Sequence, residues 1–491
     1  MRVLLAGFNI DFEQIKEFES HLESSRDISS VQEKFDKIQF TPETISAAYA
    51  RISRSKKSAP ELRFQAREEI EKARKSNQNI VFEMGHSSIA EHAVFNFDLI
   101  GISRYLVEFI ERTRLASFTE KSQRYVTLED DFVIPNEIRD DRRIANEFSK
   151  VIRNNNAVYH QLNEALLDYY RSLVQSKGQD NPSKKEYEDK AKEDARYVLP
   201  LATETQLGMT INARSLERLL KRLYALNLEE ATEIANKLYN EAKAIAPSLI
   251  RYVQPTDYDC KLYETSQSAT EVSKVAPPCK LLSYTDCPDD IILTALLFRR
   301  TGKDWENLYK EVAMMSSDQK KDAILQALKG IESYDSMPRE FEMVDFTFQL
   351  KMSASCFAQL KRHRMSSIIA TDYDPVYGYV LPISIKKAGQ EREFGKAMQS
   401  SEELYQILER VYPRVKNYIL TNAHQRYVLM KLNLRELAHF SRLRQDKHAQ
   451  WEIRSIAHDM VEQCKNVAPL TTLLVCGKDK FQETYQQIFP H

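Results

Sequence analysis

Two stretches of the chain alternate apolar and polar residues with a period of two. Val94, Phe95, Asn96, Phe97, Asp98 and Leu99 do so in the first half, and Val344, Asp345, Phe346, Thr347, Phe348, Gln349 and Leu350 in the second. The pattern predicts strands with one buried and one wetted face. Each leads into a segment of helical spacing that ends in a basic triplet. GISRYLVEFIERTR closes at Arg112-Thr113-Arg114, and SCFAQLKRHR closes at Arg362-His363-Arg364. Upstream, Thr41-Pro42-Glu43 opens TISAAYARISRS and Cys287-Pro288-Asp289 opens DIILTALLFRRTG, each with Pro at the first helical position. Downstream, Asn212-Ala213-Arg214-Ser215-Leu216 and Asn433-Leu434-Arg435-Glu436-Leu437 predict helix starts capped by the Asn side chain. The same features recur in the same order, so the chain reads as two copies of one unit.

The copies are expected at 41–250 and 287–491, after an N-terminal strand and lead-in at 1–40 and around a linker at 251–286 with turn formers and little periodicity. MRVLLAGFNID reads as a first strand rather than a secretory signal. The charged stretch at 179–194, QDNPSKKEYEDKAKED, is expected to be an exposed insertion that carries no chemistry.

Composition narrows the function. A hydrophobic share of 42% and a charged share of 29% over 491 residues describe a globular protein of about two domains. Glycine is scarce, at 11 residues where average usage of about 7% would give roughly 34. No G-x-G-x-x-G and no G-x-x-x-x-G-K-[ST] occurs, so a bound nucleotide would need cationic side chains instead of a glycine-rich cradle. The 70 Lys and Arg balance the 71 Asp and Glu, which gives no reason to expect a nucleic-acid polymer or a membrane surface as partner. Six cysteines without a C-x-x-C pair fit reduced thiols in a cytoplasmic protein.

The candidate chemistry is cationic. In ERTRLASFTEKSQRYV (111–126), guanidinium and hydroxyl groups cluster where a turn should follow a helix, a combination suited to phosphate or to a solvated basic surface. In NLRELAHFSRLRQDKHAQWEIR (433–454), Arg435 and His439 share a helical face, with Arg442, Arg444 and His448 beyond. Either an anionic ligand or internal carboxylates must offset that charge. His86 and His92, six apart, do not match a zinc helix, and no metal is expected. Cys356 reads as a buried inert thiol and His424 as structural.

Together these residues resemble the flavin-dependent thymidylate synthases. The resemblance rests on GHSSIAEH (85–92), on the strand and helix ending in the basic triplet, on S-x-x-E-x-S-x-R-Y (117–125), on the N-[AL]-R-x-L helices, and on R-x-x-x-H-A-Q-x-E-I from Arg444. It covers roughly 41–250 and 287–475. Neither copy is complete. The first has Thr113 where the family has His and no H-A-Q-x-E-I. The second has Ala370, Asp372 and Asp374 where Glu, Ser and Arg would stand. Exchanging a phosphate-binding cation for a carboxylate reverses a term of about 4 kcal/mol at ~4 Å and an effective dielectric near 20.

The resemblance implies an α+β fold in which each unit is an antiparallel sheet with flanking long helices. It implies reductive methylation of dUMP to dTMP with FAD, NADPH and methylenetetrahydrofolate, at a composite site between the units. Glu120, Ser122, Gln123, Arg124 and Arg196, with Gln359 and Arg444, would hold dUMP. Arg444 would also be catalytic, stabilising charge on the pyrimidine. His86, Ser88, Glu91, Arg112 and Arg114, with Arg362, His363, Arg364, Asn433, Arg435, His439 and His448, would contact FAD. A homodimer would then supply the family's four units. Two other readings stay open: a degenerate paralogue that binds flavin or pyrimidine nucleotide without catalysis, and a flavoenzyme acting on a related pyrimidine nucleotide.

Overall fold

In a computed structural model of the chain, which describes residues 1–24, 29, 31, 32, 35, 39–126, 130–177, 184–263 and 277–490, the two alternating stretches are central strands of two separate sheets. The first sheet comprises β1 (Arg2–Phe8), β2 (Val94–Ser103), β3 (Ala116–Glu120) and β4 (Glu204–Asn212), in the order β1-β2-β4-β3. The second comprises β5 (Cys279–Tyr284), β6 (Asp345–Ser353), β7 (Ser367–Ala370) and β8 (Gln425–Asn433), in the order β5-β6-β8-β7. All neighbours are antiparallel, and many helices accompany the two sheets, so the fold is α+β as expected. Phe95, Phe97 and Leu99 in β2 and Phe346, Phe348 and Leu350 in β6 are buried. Burying each such side chain contributes about 1.5–3 kcal/mol.

Strand β5 lies inside the stretch read as a linker. Of its six residues only Cys279 is buried and Leu281 partly so, while the rest face out, so no period-two signal stands out after Pro277-Pro278. The compact units are not consecutive stretches of chain either. Unit 1 consists of residues 1–156, 200–266 and 403–419, and unit 2 of residues 157–199, 267–402 and 420–491. Each unit therefore contains one segment of the opposite sequence repeat. The charged stretch needs a correction. Residues 179–183 lie outside the described residues, but Lys184–Ala195 is a helix that buries Ala191, Asp194 and Ala195 at its C-terminal end. Asp194 accepts hydrogen bonds from Trp451 Nε1 (2.8 Å), Tyr170 Oη (2.9 Å) and Ser384 Oγ (2.5 Å), which offset the cost of burying its carboxylate.

The junctions that position the basic triplets repeat closely. Ser103 ends β2 and its hydroxyl caps the helix Arg104–Ile110 by accepting from Leu106 N at 3.0 Å; Gly101 to Ser103, read as helix, belong to the strand. Ser353 caps Ala354–Leu360 by accepting from Cys356 N at 3.1 Å. Behind each serine stands a buried glutamate. Glu230 takes Ser103 N (2.8 Å), Ser103 Oγ (2.7 Å) and Tyr418 Oη (2.6 Å) within unit 1. Glu452 takes Ser353 N (2.9 Å), Ser353 Oγ (2.5 Å) and Tyr197 Oη (2.6 Å) within unit 2. Burial pushes both carboxyls above their usual range. The two asparagines cap as expected, Asn212 Oδ1 accepting from Ser215 N and Asn433 Oδ1 from Glu436 N, both at 2.8 Å. No helix among the described residues is long and apolar enough to cross a membrane.

Candidate functional site

The densest polar cluster around predicted residues is in unit 2. The helix Leu434–Arg444 delivers Arg444 at its last turn. Its Nε donates to His363 Nε2 at 2.9 Å, and its Nη atoms reach Gln359 Oε1 (3.4 Å) and Gln359 O (3.2 Å). His363 Nδ1 lies 3.2 Å from Glu436 Oε1. Since Nε2 accepts from a guanidinium, Nδ1 carries the proton and donates to Glu436. Burial, then the Arg444 and His439 charges, hold the His363 pKa well below its usual value, which agrees with a neutral ring.

Gln359 is 8% exposed, and its Nε2 is buried without a hydrogen-bond partner; Ser355 Oγ, one turn earlier on the same short helix, is likewise buried and unpartnered. Native interiors seldom leave such groups unsatisfied, and a polar ligand is one partner that could meet them here. Arg196 belongs to this unit although it comes from the first sequence repeat. It is buried, donates Nε to Glu193 O at 3.2 Å, and lies within electrostatic reach of Cys356 together with Arg444. Arg196, Gln359 and Arg444, three of the predicted nucleotide residues, thus gather around one helix. Cys356 is fully buried, and burial, reinforced by Glu452, pushes its thiol well up, so it is no nucleophile.

The residues predicted to contact flavin fare unevenly. Asn433 is committed to its cap, and Arg435 to Glu342 Oε1 (2.5 Å) and Met337 O (2.8 Å). Internal acceptors therefore account for part of the helix's cationic charge, as does the bond from Arg442 to Asp335 O. His363 has both ring nitrogens occupied. Arg362, His439 and His448 are exposed and Arg364 is half-buried. These four cationic or titratable groups, Arg362, Arg364, His439 and His448, suit an anionic cofactor.

In unit 1, His86, Ser88 and Arg114 are exposed at the surface, while Arg112 is half-buried with its guanidinium 4.7 Å over the Phe109 ring. Glu91 is paired with Arg214, as Glu342 is with Arg435 in unit 2. Where unit 2 has His363 bonded to Arg444, unit 1 has Thr113 accepting from Arg222 at 2.5 Å. The predicted nucleotide loop follows β3. Ser122 Oγ accepts from Arg124 N at 3.2 Å, Gln123 is buried, and the Arg124 guanidinium lies 5.4 Å over the Tyr125 ring. Glu120 is buried in an ion pair with Arg104 and braces the loop. A separate cavity of about 540 Å³, lined by Lys75, Phe82, Lys243 and Arg251, holds none of the predicted residues.

Sequence reasoning missed Glu436, Ser355, Tyr197 and the Ser–Glu braces. The braces carried a signal, since Ser103 with Glu230 and Ser353 with Glu452 recur in the two copies. Tyr197 Oη also accepts from Gln450 Nε2 at 2.7 Å, which ties H-A-Q-W-E-I to the Arg196 segment.

Comparison with known proteins gives the family. The UPF0159 protein Ta1429 of Thermoplasma acidophilum is 25% identical over 493 residues, covering 89% of this chain and 95% of its own. A flavin-dependent thymidylate synthase of Clostridium tetani is 32% identical over 239 residues, 48% of this chain and 92% of its own length. One of Pyrococcus furiosus is 28% identical over 229 residues, 46% and 77% respectively. A solved structure described as a UMP/dUMP methylase PolB from Streptomyces cacaoi bound with 5-Br dUMP aligns with 42% of this chain and 94% of its own, at 18% identity and a TM-score of 0.33. The family model described as Thymidylate synthase complementing protein matches residues 38–248 and again 280–470. With most of its length covered in two passes, the chain belongs to the thymidylate synthase complementing proteins, the family of the flavin-dependent thymidylate synthases.

Proposed function

We propose that the protein is a flavin-dependent thymidylate synthase that methylates dUMP to dTMP at a composite site, with the phosphate loop of unit 1 and the Arg196, Gln359 and Arg444 group of unit 2 as its two parts. The observation that carries this is the buried, unpartnered Gln359 Nε2 beside a guanidinium already held in place by Gln359 and His363. A pyrimidine, which presents carbonyl oxygens and a ring N–H, can satisfy such an amide. Ser122, Gln123 and Arg124 would take the phosphate by charge-assisted bonds.

Arg362, Arg364, His439 and His448 are the unit 2 residues suited to FAD, with His86, Ser88, Arg112 and Arg114 of unit 1. Bound there, FAD with NADPH and methylenetetrahydrofolate would supply the redox and one-carbon chemistry. The chain's own part is to bind and orient. Arg444, fixed by two partners, stabilises negative charge on the pyrimidine without reorganising. Neutral His363 has no proton to spare at Nε2 and serves as the acceptor that aims Arg444. A homodimer would supply four units.

Purified protein tests this. Flavin absorbance, and turnover of dUMP with NADPH and methylenetetrahydrofolate, are expected. Colourless protein that cannot be reconstituted with FAD, or flavoprotein without turnover, would contradict the reading, and rescue of a thymidine auxotroph by the gene would support it.

A further inference from the structure

Because the family unit occurs twice, the chain could hold two nucleotides. We propose that it holds one: both parts of the second site are filled by the chain's own side chains. This inference rests on the functional reading above.

The sheet registers set the equivalences. Glu120 pairs with Leu207 in unit 1, as Ala370 pairs with Val428 in unit 2, so the loops after β3 and β7 match position by position. Ser122, Gln123 and Arg124 then correspond to Asp372, Tyr373 and Asp374. Counting from the capping serines, Arg104 corresponds to Ala354 and Phe109 to Gln359. Counting from the capping asparagines, Thr205 corresponds to Arg426.

In unit 1, Arg104 pairs with Glu120 and supports a loop that presents Ser122 and Arg124. In unit 2 both partners are alanine, and the buried guanidinium comes instead from β8. Arg426 is 1% exposed, with its guanidinium 3.6 Å from the Tyr373 ring centroid and 4.7 Å from that of Phe357. Tyr373 is fully buried. Such a desolvated cation–π stack packs the loop from beneath, and the loop's own charges are carboxylates. Asp374 Oδ1 accepts from Val376 N at 2.9 Å and starts the turn Pro375–Tyr377 where the first loop has Arg124 and Tyr125. No phosphate cation remains at these positions.

The other part is filled in unit 1. Phe109 stands where Gln359 does and meets the Tyr105 ring edge-on, with centroids 5.2 Å apart. Tyr105, in the place of Ser355, packs against Tyr418 at 5.0 Å. Asn417, in the place of Arg196, donates to Tyr105 Oη at 3.1 Å. Three rings thus occupy the ground that in unit 2 holds a buried, unpartnered amide and hydroxyl. Losses on both parts, each with its own packing replacement, leave one working pair per chain.

Calorimetric titration of the FAD-loaded full chain with dUMP tests the count. One equivalent per chain is expected. In Arg124→Ala, binding should weaken about 10- to 150-fold, as for loss of a charge-assisted bond, with no tight class left. Asp374→Ala should keep one equivalent at unchanged affinity. Two equivalents in the natural chain, or a remaining wild-type-affinity equivalent in Arg124→Ala, would overturn the proposal. No binding to the natural chain would reject the functional reading itself and this inference with it.

Discussion

The two short helices that follow the central strands have the same length, the same serine cap and the same glutamate behind the cap, yet they present opposite chemistry. Arg104–Ile110 shows Tyr105 and Phe109, packed among rings; Ala354–Leu360 shows Ser355 and Gln359, with buried polar atoms left open. The loops beyond them are reversed, with Arg124 presented in the first and Arg426 buried under Tyr373 in the second. On the proposed reading, the second copy of the site has been lost piecewise, each piece where packing replaces it. A buried arginine cannot simply lose its carboxylate, because an unpartnered interior charge costs several kcal/mol. Arg104 and Glu120 are accordingly absent together from the second copy, and Arg426 arrives with an aromatic partner.

Substitutions can break this contrast. The largest effect is expected for Phe109→Ala, which removes a buried ring from a three-ring cluster and should cost about 3–5 kcal/mol of stability by denaturant melts, while turnover per folded molecule should fall less than in Gln359→Ala, since the ring backs Arg112. Gln359→Ala, the matching change in unit 2, should do the reverse: kcat/KM falls about 10- to 100-fold while stability falls less than in Phe109→Ala, since Nε2 has no partner to lose and only the 3.4 Å bond from Arg444 to Oε1 goes with the amide. Equal behaviour of the two variants would end the distinction between a packing face and a binding face.

A smaller effect concerns the shared braces. Glu452 and Glu230 have folded-state pKa values raised by burial. Their contribution is fully present below the unfolded carboxylate range and is lost as pH rises through the folded value. Glu452→Gln and Glu230→Gln should therefore gain stability relative to the natural chain as pH climbs from about 4.5. The same sign in both units is expected from melting curves across pH, and opposite signs would separate the braces. Smallest is Cys356→Ala, a buried inert thiol, which should leave turnover intact and cost about 1 kcal/mol.

Much of the fold was legible because strands β2 and β6 alternate cleanly and the proline and asparagine signals at helix starts are local. Strand β5 was not legible, since an edge strand with one buried residue has no periodicity to read. The segment exchange between the units was not legible either, because which unit a segment packs into depends on tertiary contacts; the burial of Asp194 and the membership of Arg196 in unit 2 follow from it. At the site, Arg444, Gln359 and Arg196 could be named from motif residues. Sequence could not show that Asn433, Arg435, Glu91 and His363 spend their polar atoms on internal partners, because Glu342, Arg214 and Glu436 lie far from them along the chain.

The central claim is that one site draws its phosphate loop from unit 1 and its pyrimidine group from unit 2. Turnover of dUMP by Arg124→Ala and by Arg444→Ala, assayed side by side with FAD, NADPH and methylenetetrahydrofolate, tests it most directly. The account predicts a loss in both, on the order of 10²- to 10³-fold in kcat for Arg444→Ala. Full activity in either variant would contradict it.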